Sequence, residues 1–116
     1  MDPMKLTIHE EGCVVVVTIN GNILQDNASL FQNRLSELLE NNKNNIVLDM
    51  GGSNYISSMG LAVIVDAKVR LEKVHGDIKL ARVNNLIKNL LETTRLIEKI
   101  TLYPTTEEAV ASFKIP

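Results

Sequence analysis

The spacing of hydrophobic residues along this chain changes period several times, and each change marks an element. From Lys5 to His9 the residues alternate, with Leu6 and Ile8 on one side, the period of a half-buried strand. Glu10-Glu11-Gly12 supplies a turn. Cys13 to Ile19 follows as a nearly continuous β-branched run, which fits a central strand covered on both faces and entered through a hairpin. Asn20-Gly21-Asn22 ends it. The period then lengthens: Phe31, Leu35, Leu38 and Leu39 recur at helical spacing as far as Glu40, and Asp26 or Asn27 can cap that helix. Asn41-Asn42-Lys43-Asn44 stops it. Ile46 to Met50 is an apolar run of strand length, bounded by Asn44-Asn45 before it and Gly51-Gly52 after.

A second helix is predicted from about Ser58 to Val74, stopped by Gly76. Gly60, Ile64, Ala67, Leu71 and Val74 share one face and should pack on a sheet. Ala62, Val65 and Val69 form a neighbouring apolar stripe, either covered by another helix of the same domain or left as a partner surface. Ile78 to Val83 predicts a further strand, and Asn84-Asn85 caps a helix carrying Leu86, Ile87, Leu90 and Leu91 as far as Thr93-Thr94. Ile100 to Leu102 is the last strand. Tyr103-Pro104-Thr105 then leads into a short helix through Ala109 and Phe113, where Thr105 and Glu108 have the spacing of a capping box. Strand and helix alternate after the opening hairpin. The expected fold is therefore α/β: a mixed, largely parallel sheet of about five strands with an N-terminal hairpin and about four helices, mostly in one layer.

Composition narrows the function classes. At 116 residues the chain is expected to be one domain, 1–116, large enough to bury a core without staples. A net charge of -2 with no stripe of Lys and Arg argues against nucleic acid, and two Phe, two Tyr and no Trp make a base-stacking platform unexpected. No apolar run approaches the length of a membrane span, and Met1-Asp-Pro-Met4 carries no pattern of its own. Cys13 lies in a Val run, so it is expected to be a small buried hydrophobe, and a reducing cytoplasm is the natural compartment. His9 and His75 fall in different elements without Cys or His at ligand spacing, so no metal site is expected and both read as solvated. No phosphate loop or dinucleotide fingerprint is present. Asp49, at a strand end, is expected to hold the elbow that follows by hydrogen bonds, and Asp66 to face water. The chain does not read as an enzyme, and no cofactor is expected.

The serine pair remains. Ser57 and Ser58 stand where the second helix begins, and a hydroxyl there can accept a hydrogen bond from a backbone N–H without a partner in the helix. The same place tolerates an added phosphate, because the free N–H groups and the helix dipole favour negative charge. A phosphate on Ser58 would lie beside Met59, Ala62 and Val65. It would repel or block a partner docked there without refolding the domain.

The chain resembles the STAS domain family, in particular the single-domain anti-sigma-factor antagonists of bacteria. The likeness runs over the whole chain, from the opening hairpin to Asn20-Gly21 through Val47-Leu-Asp-Met and Ile78-Lys-Leu80 to Arg95-Leu-Ile-Glu-Lys-Ile100 and Thr106-Glu-Glu-Ala109. Tyr55-Ile-Ser-Ser-Met-Gly-Leu61 is its most specific part. The resemblance implies that Ser58, two places before the glycine, is the phosphoacceptor, with Ser57 the alternative. It further implies partner switching. The unmodified protein would sequester an anti-sigma factor that is also a serine kinase, freeing a sigma factor; phosphorylation would release that kinase and a serine phosphatase would reverse the change. ATP would belong to the kinase. Tyr55, Ser57, Met59, Ala62, Val65, Asp66, Val69 and Asp26 are the expected partner-binding residues.

Two departures stand out. Many such antagonists have Asp before the acceptor, where this chain has Ser57, and an acid where it has Leu24, with Asp26 two positions on. Both make the site less negative. Related domains also serve as scaffold subunits of lipid-transport or signalling complexes, the alternative reading. A small-anion binder using Gly51 to Tyr55 with the helix N-terminus is the third.

Overall fold

A computed structural model describes residues 4–113; of the opening stretch, Met1, Asp2 and Pro3 lie outside it. Five strands, β1 (Lys5–Glu11), β2 (Val14–Asn20), β3 (Asn45–Gly52), β4 (Asp77–Ala81) and β5 (Leu102–Tyr103), form one sheet. Four helices join and follow them: α1 (Ala28–Glu40), α2 (Ser58–Glu72), α3 (Asn85–Thr93) and α4 (Thr106–Ser112). The spatial order β1-β2-β3-β4-β5 is the chain order, antiparallel at the hairpin and parallel thereafter. Every crossover therefore steps the same way across the sheet. Crossovers of a common hand then put all their helices on one face.

Burial agrees with that geometry. Alternate residues of the central strands, Val15, Val17 and Ile19, Ile46, Leu48 and Met50, and Ile78 and Leu80, join Phe31, Leu35, Ile64, Leu71, Ile87 and Leu91 of α1, α2 and α3 in the main core. Val14, Val16, Val47 and Ala81 point the other way, as strand alternation requires, and among the described residues α4 meets them through Ala109 and Val110, with Tyr103 of β5 beside it. The Lys79 ammonium fastens that helix: it lies 4.1 Å from the Phe113 ring centroid and 5.8 Å from that of Tyr103. It also donates to Ser112 Oγ at 2.8 Å.

The α/β architecture is as expected, while several boundaries are not. Cys13 is exposed, not buried. β1 runs on to Glu11, which pairs with Val14, so Gly12 and Cys13 form a two-residue hairpin loop. Gly12 takes φ 64° at the first central position, the place that type II′ hairpins reserve for glycine. Val74 is 52% exposed, because α2 ends at Glu72 and the chain turns away with His75, rather than Gly76, in the left-handed region at φ 61°. Arg82, at φ 58°, stops β4 short of Val83. A single 3₁₀ turn at Leu96–Glu98, entered through Arg95 at φ 64°, precedes β5, which begins two residues later than the apolar run suggests. Asn27 precedes α1, but its side chain does not cap that helix. Thr105 does cap α4, its hydroxyl accepting from the Glu108 N–H at 3.1 Å.

Candidate functional site

The two serines at the start of α2 have different surroundings. Ser57 is the N-cap, in extended conformation (φ -77°, ψ 167°), and its hydroxyl accepts from the Gly60 N–H at 3.2 Å. Its own N–H donates to the Ile23 carbonyl at 2.7 Å. Ser58 is the first helical residue and is exposed; among the described residues its hydroxyl makes no side-chain hydrogen bond. The first turn of α2 holds no acidic residue, so apart from Ser57 on the Gly60 N–H no side chain there competes for the backbone N–H groups.

Close packing sets where that turn sits. Gly60 is buried against Ile23 and Ile56, and a Cβ at Gly60 would lie 2.7 Å from a side-chain carbon of each. Only glycine lets the helix start approach so near. Residues Ser53 to Ser57 form the elbow between β3 and α2, and the loop after β2 grips it. Ile23 and Ile56 form an isolated parallel bridge, and the Ile23 N–H donates to the Tyr55 carbonyl at 3.2 Å. Ser53 is buried and donates from Oγ to the Ile19 carbonyl at 3.3 Å.

Near the end of β3, Asp49 makes the expected local hydrogen bond, its Oδ1 accepting from the Gly51 N–H at 3.1 Å, but that bond lies within the last strand residues and not in the elbow itself. A partner the sequence left unread completes the arrangement. Arg82 makes a two-pronged pair with Asp49, Nε to Oδ1 at 2.8 Å and Nη2 to Oδ2 at 3.1 Å. Burial pushes the Asp49 carboxyl up, but the hydrogen bonds from Arg82 and Gly51 and the guanidinium charge together hold it below its ordinary value. Asp49 raises Arg82 in turn, through the hydrogen bonds and then its charge.

The expected partner-binding residues reach the surface in three places. Ala62, Val65, Asp66 and Val69, with Ser58 and Leu61 from the same helix and Thr94 and Leu96 from across it, line a shallow groove of ≈ 510 Å³. Among the described residues no α-helix covers the stripe, which favours the partner-surface reading of the two; Val69 is 47% exposed and Ala62 is exposed. Met59 (49% exposed) and Tyr55 stand outside the groove at the helix start and the elbow. Asp66 faces water beside Arg70, at 3.7 Å. Asp26 lies elsewhere, in a cleft of ≈ 910 Å³ with Asn20, Leu24, Leu30 and Asn54. The structure does not join it to the Ser58 groove. Thr94 reads in sequence only as the end of a helix and Leu96 only as part of the family likeness; the reversal at Arg95, φ 64°, that sets both beside α2 leaves no mark in periodicity.

Residues 5–109 match the model of the STAS domain family, and the chain belongs to that family. It is 26% identical over 111 residues, 96% of each chain, to BtrV of Bordetella bronchiseptica, provisionally named an anti-sigma factor antagonist. A Thermotoga maritima protein given the same provisional description superimposes with a TM-score of 0.90 at 25% identity, over 95% of either chain. The Bacillus cell fate determinant SpoIIAA, solved in its phosphorylated form, shares the fold, with a TM-score of 0.73 at 16% identity over 96% of this chain and 99% of its own. Among the described residues no helix is long and apolar enough to cross a membrane, and no group of His, Cys, Asp and Glu is placed to hold a metal ion.

Proposed function

We propose that this protein is an anti-sigma-factor antagonist whose grip on its partner is switched by phosphorylation of Ser58. The names borne by the relatives support the antagonist role. One observation carries the switch: Ser57 takes the capping task, which leaves the neighbouring Ser58 hydroxyl exposed at the first helical position, beside an uncovered apolar groove. A phosphate on Ser58 would meet unpartnered N–H groups and the positive end of a 15-residue helix, so the folded domain tolerates it. The same charge would stand at the edge of the groove formed by Leu61, Ala62, Val65 and Val69, where desolvating a dianion opposes docking. The partner of this reading is an anti-sigma factor with serine kinase activity, countered by a serine phosphatase. Both act in the cytoplasm, where ATP is present.

The test is capture from extracts of the native cell on wild-type, Ser58→Ala and Ser58→Asp chains, followed by incubation of the captured kinase with Mg-ATP and mass spectrometry of the antagonist. Wild type and Ser58→Ala should retain the kinase and Ser58→Asp should lose it, with phosphate on Ser58 of the wild type. Equal retention by all three, or no phosphate at all, would sink the switch.

A further inference from the structure

Beyond the acceptor serine itself, we infer that Asn22, backed by Asn84, is the positioning residue that sets the elbow presenting Ser58; this rests on the switch proposed above. β2 ends at Asn20, and its ladder to β3 ends with the pairing of Asn20 and Gly52. Between that pairing and the Ile23–Ile56 bridge, the N–H groups of Asn54 and Tyr55 have no backbone beside them to accept their hydrogen bonds, and such groups require partners. A side chain takes the place of the strand. Asn22 Oδ1 accepts from the Asn54 N–H at 2.9 Å and from the Tyr55 N–H at 3.2 Å. From the opposite side Asn84 Nδ2 donates to the Asn54 carbonyl at 3.1 Å, while its Oδ1 caps α3 by accepting from the Ile87 N–H at 2.8 Å. Asn27 braces the first clamp: its Nδ2 donates to the Asn22 carbonyl at 3.0 Å and its Oδ1 accepts from the Leu24 N–H at 2.7 Å.

The peptide before Tyr55 is thus held on both edges by amides from two separate loops. Three residues further on is the exposed hydroxyl. Phosphoryl transfer depends on aligning that oxygen with the incoming phosphorus, so a fixed elbow governs the chemical step and not the docking face on α2. Two oxygen–hydrogen contacts on one atom also set the specificity of the position. A carboxylate at residue 22 can make both and a hydrocarbon side chain can make neither. An Asp at residue 84 keeps the cap on α3 but loses the donor to the Asn54 carbonyl.

The experiment compares wild type with Asn22→Leu, Asn22→Asp and Asn84→Asp in two readouts. By NMR, the amides of Asn54 and Tyr55 should exchange about tenfold faster or more in Asn22→Leu, with Leu48 in the core unchanged as proof of folding, and Asn22→Asp should restore protection. With the captured kinase and Mg-ATP, Asn22→Leu should lower kcat for Ser58 by about tenfold or more at nearly constant KM. Asn22→Asp should again recover, and Asn84→Asp should fall between. Wild-type exchange or wild-type kcat in Asn22→Leu overturns the inference, as does Asn22→Asp failing equally. A wild type that takes no phosphate overturns the switch itself, a result told apart by the absence of signal in every chain.

Discussion

Two adjacent hydroxyls at one helix start carry different loads, and their substitutions should differ accordingly. Ser57→Ala removes an N-cap acceptor and should cost about 1 kcal/mol in urea unfolding. Ser58→Ala removes an exposed group without a side-chain partner and should stay within about 0.5 kcal/mol of wild type in the same measurement. A result with the order reversed would mean that Ser58 holds the helix. Asp49 makes a pH-dependent contribution. Its carboxyl lies below its ordinary value in the folded chain, so its stabilisation is complete above the unfolded value of about 4 and is lost as pH falls through the lower folded one. Thermal unfolding of wild type and Asp49→Asn should therefore differ at pH 7 and converge as the solution is made more acid than pH ~4. Reading these residues from sequence succeeded where the chemistry is local. The Asp49 hydrogen bond to Gly51 was legible because it spans two residues, although it closes the strand end and not the elbow. Arg82 was not, because it reaches Asp49 only after 33 residues and a crossover.

At the level of elements, the helix start and the elbow are built to fit each other within a methyl group. Gly60→Ala would place that methyl 2.7 Å from carbons of Ile23 and Ile56. Expected is a loss of about 1–3 kcal/mol in denaturant unfolding, with α2 displaced from the elbow; an unchanged midpoint would mean that the contact relaxes freely. The periodicity of α2 marked Gly60, Ile64, Ala67 and Leu71 as packed, and all four are buried. It misplaced Val74, because the turn through His75 intervenes and turns at non-glycine residues leave no trace in hydrophobic spacing. Cys13 was misread for a related reason. A valine run looks continuous in sequence, yet the hairpin needs two residues for its loop, and Cys13 is one of them. Asn22 was legible only as the end of a strand. That its amide stands in for the missing neighbour of the elbow depends on where β3 delivers Asn54, which is tertiary information.

Across the molecule, alternation of strand and helix was enough to foresee the mixed sheet and its single main helical layer. Whether the second stripe of α2 lies open was beyond it, because that depends on the width of the layer and not on any one helix. If the proposed partner docks on the open stripe, stability and binding separate there. Val69→Glu alters a side chain already 47% exposed, so unfolding should shift by no more than about 0.5 kcal/mol while capture of the kinase is lost. Retained capture would move the docking face elsewhere. The uneven clothing of the sheet has a last consequence. Among the described residues its underside carries a seven-residue helix, packed through Ala109 and Val110 and held by Lys79 against the Phe113 ring, while the groove proposed for docking belongs to the thicker layer. Gentle denaturation should loosen that small keel first, so that amide protons of Ala109 and Val110 trade with solvent ahead of those of Ile64.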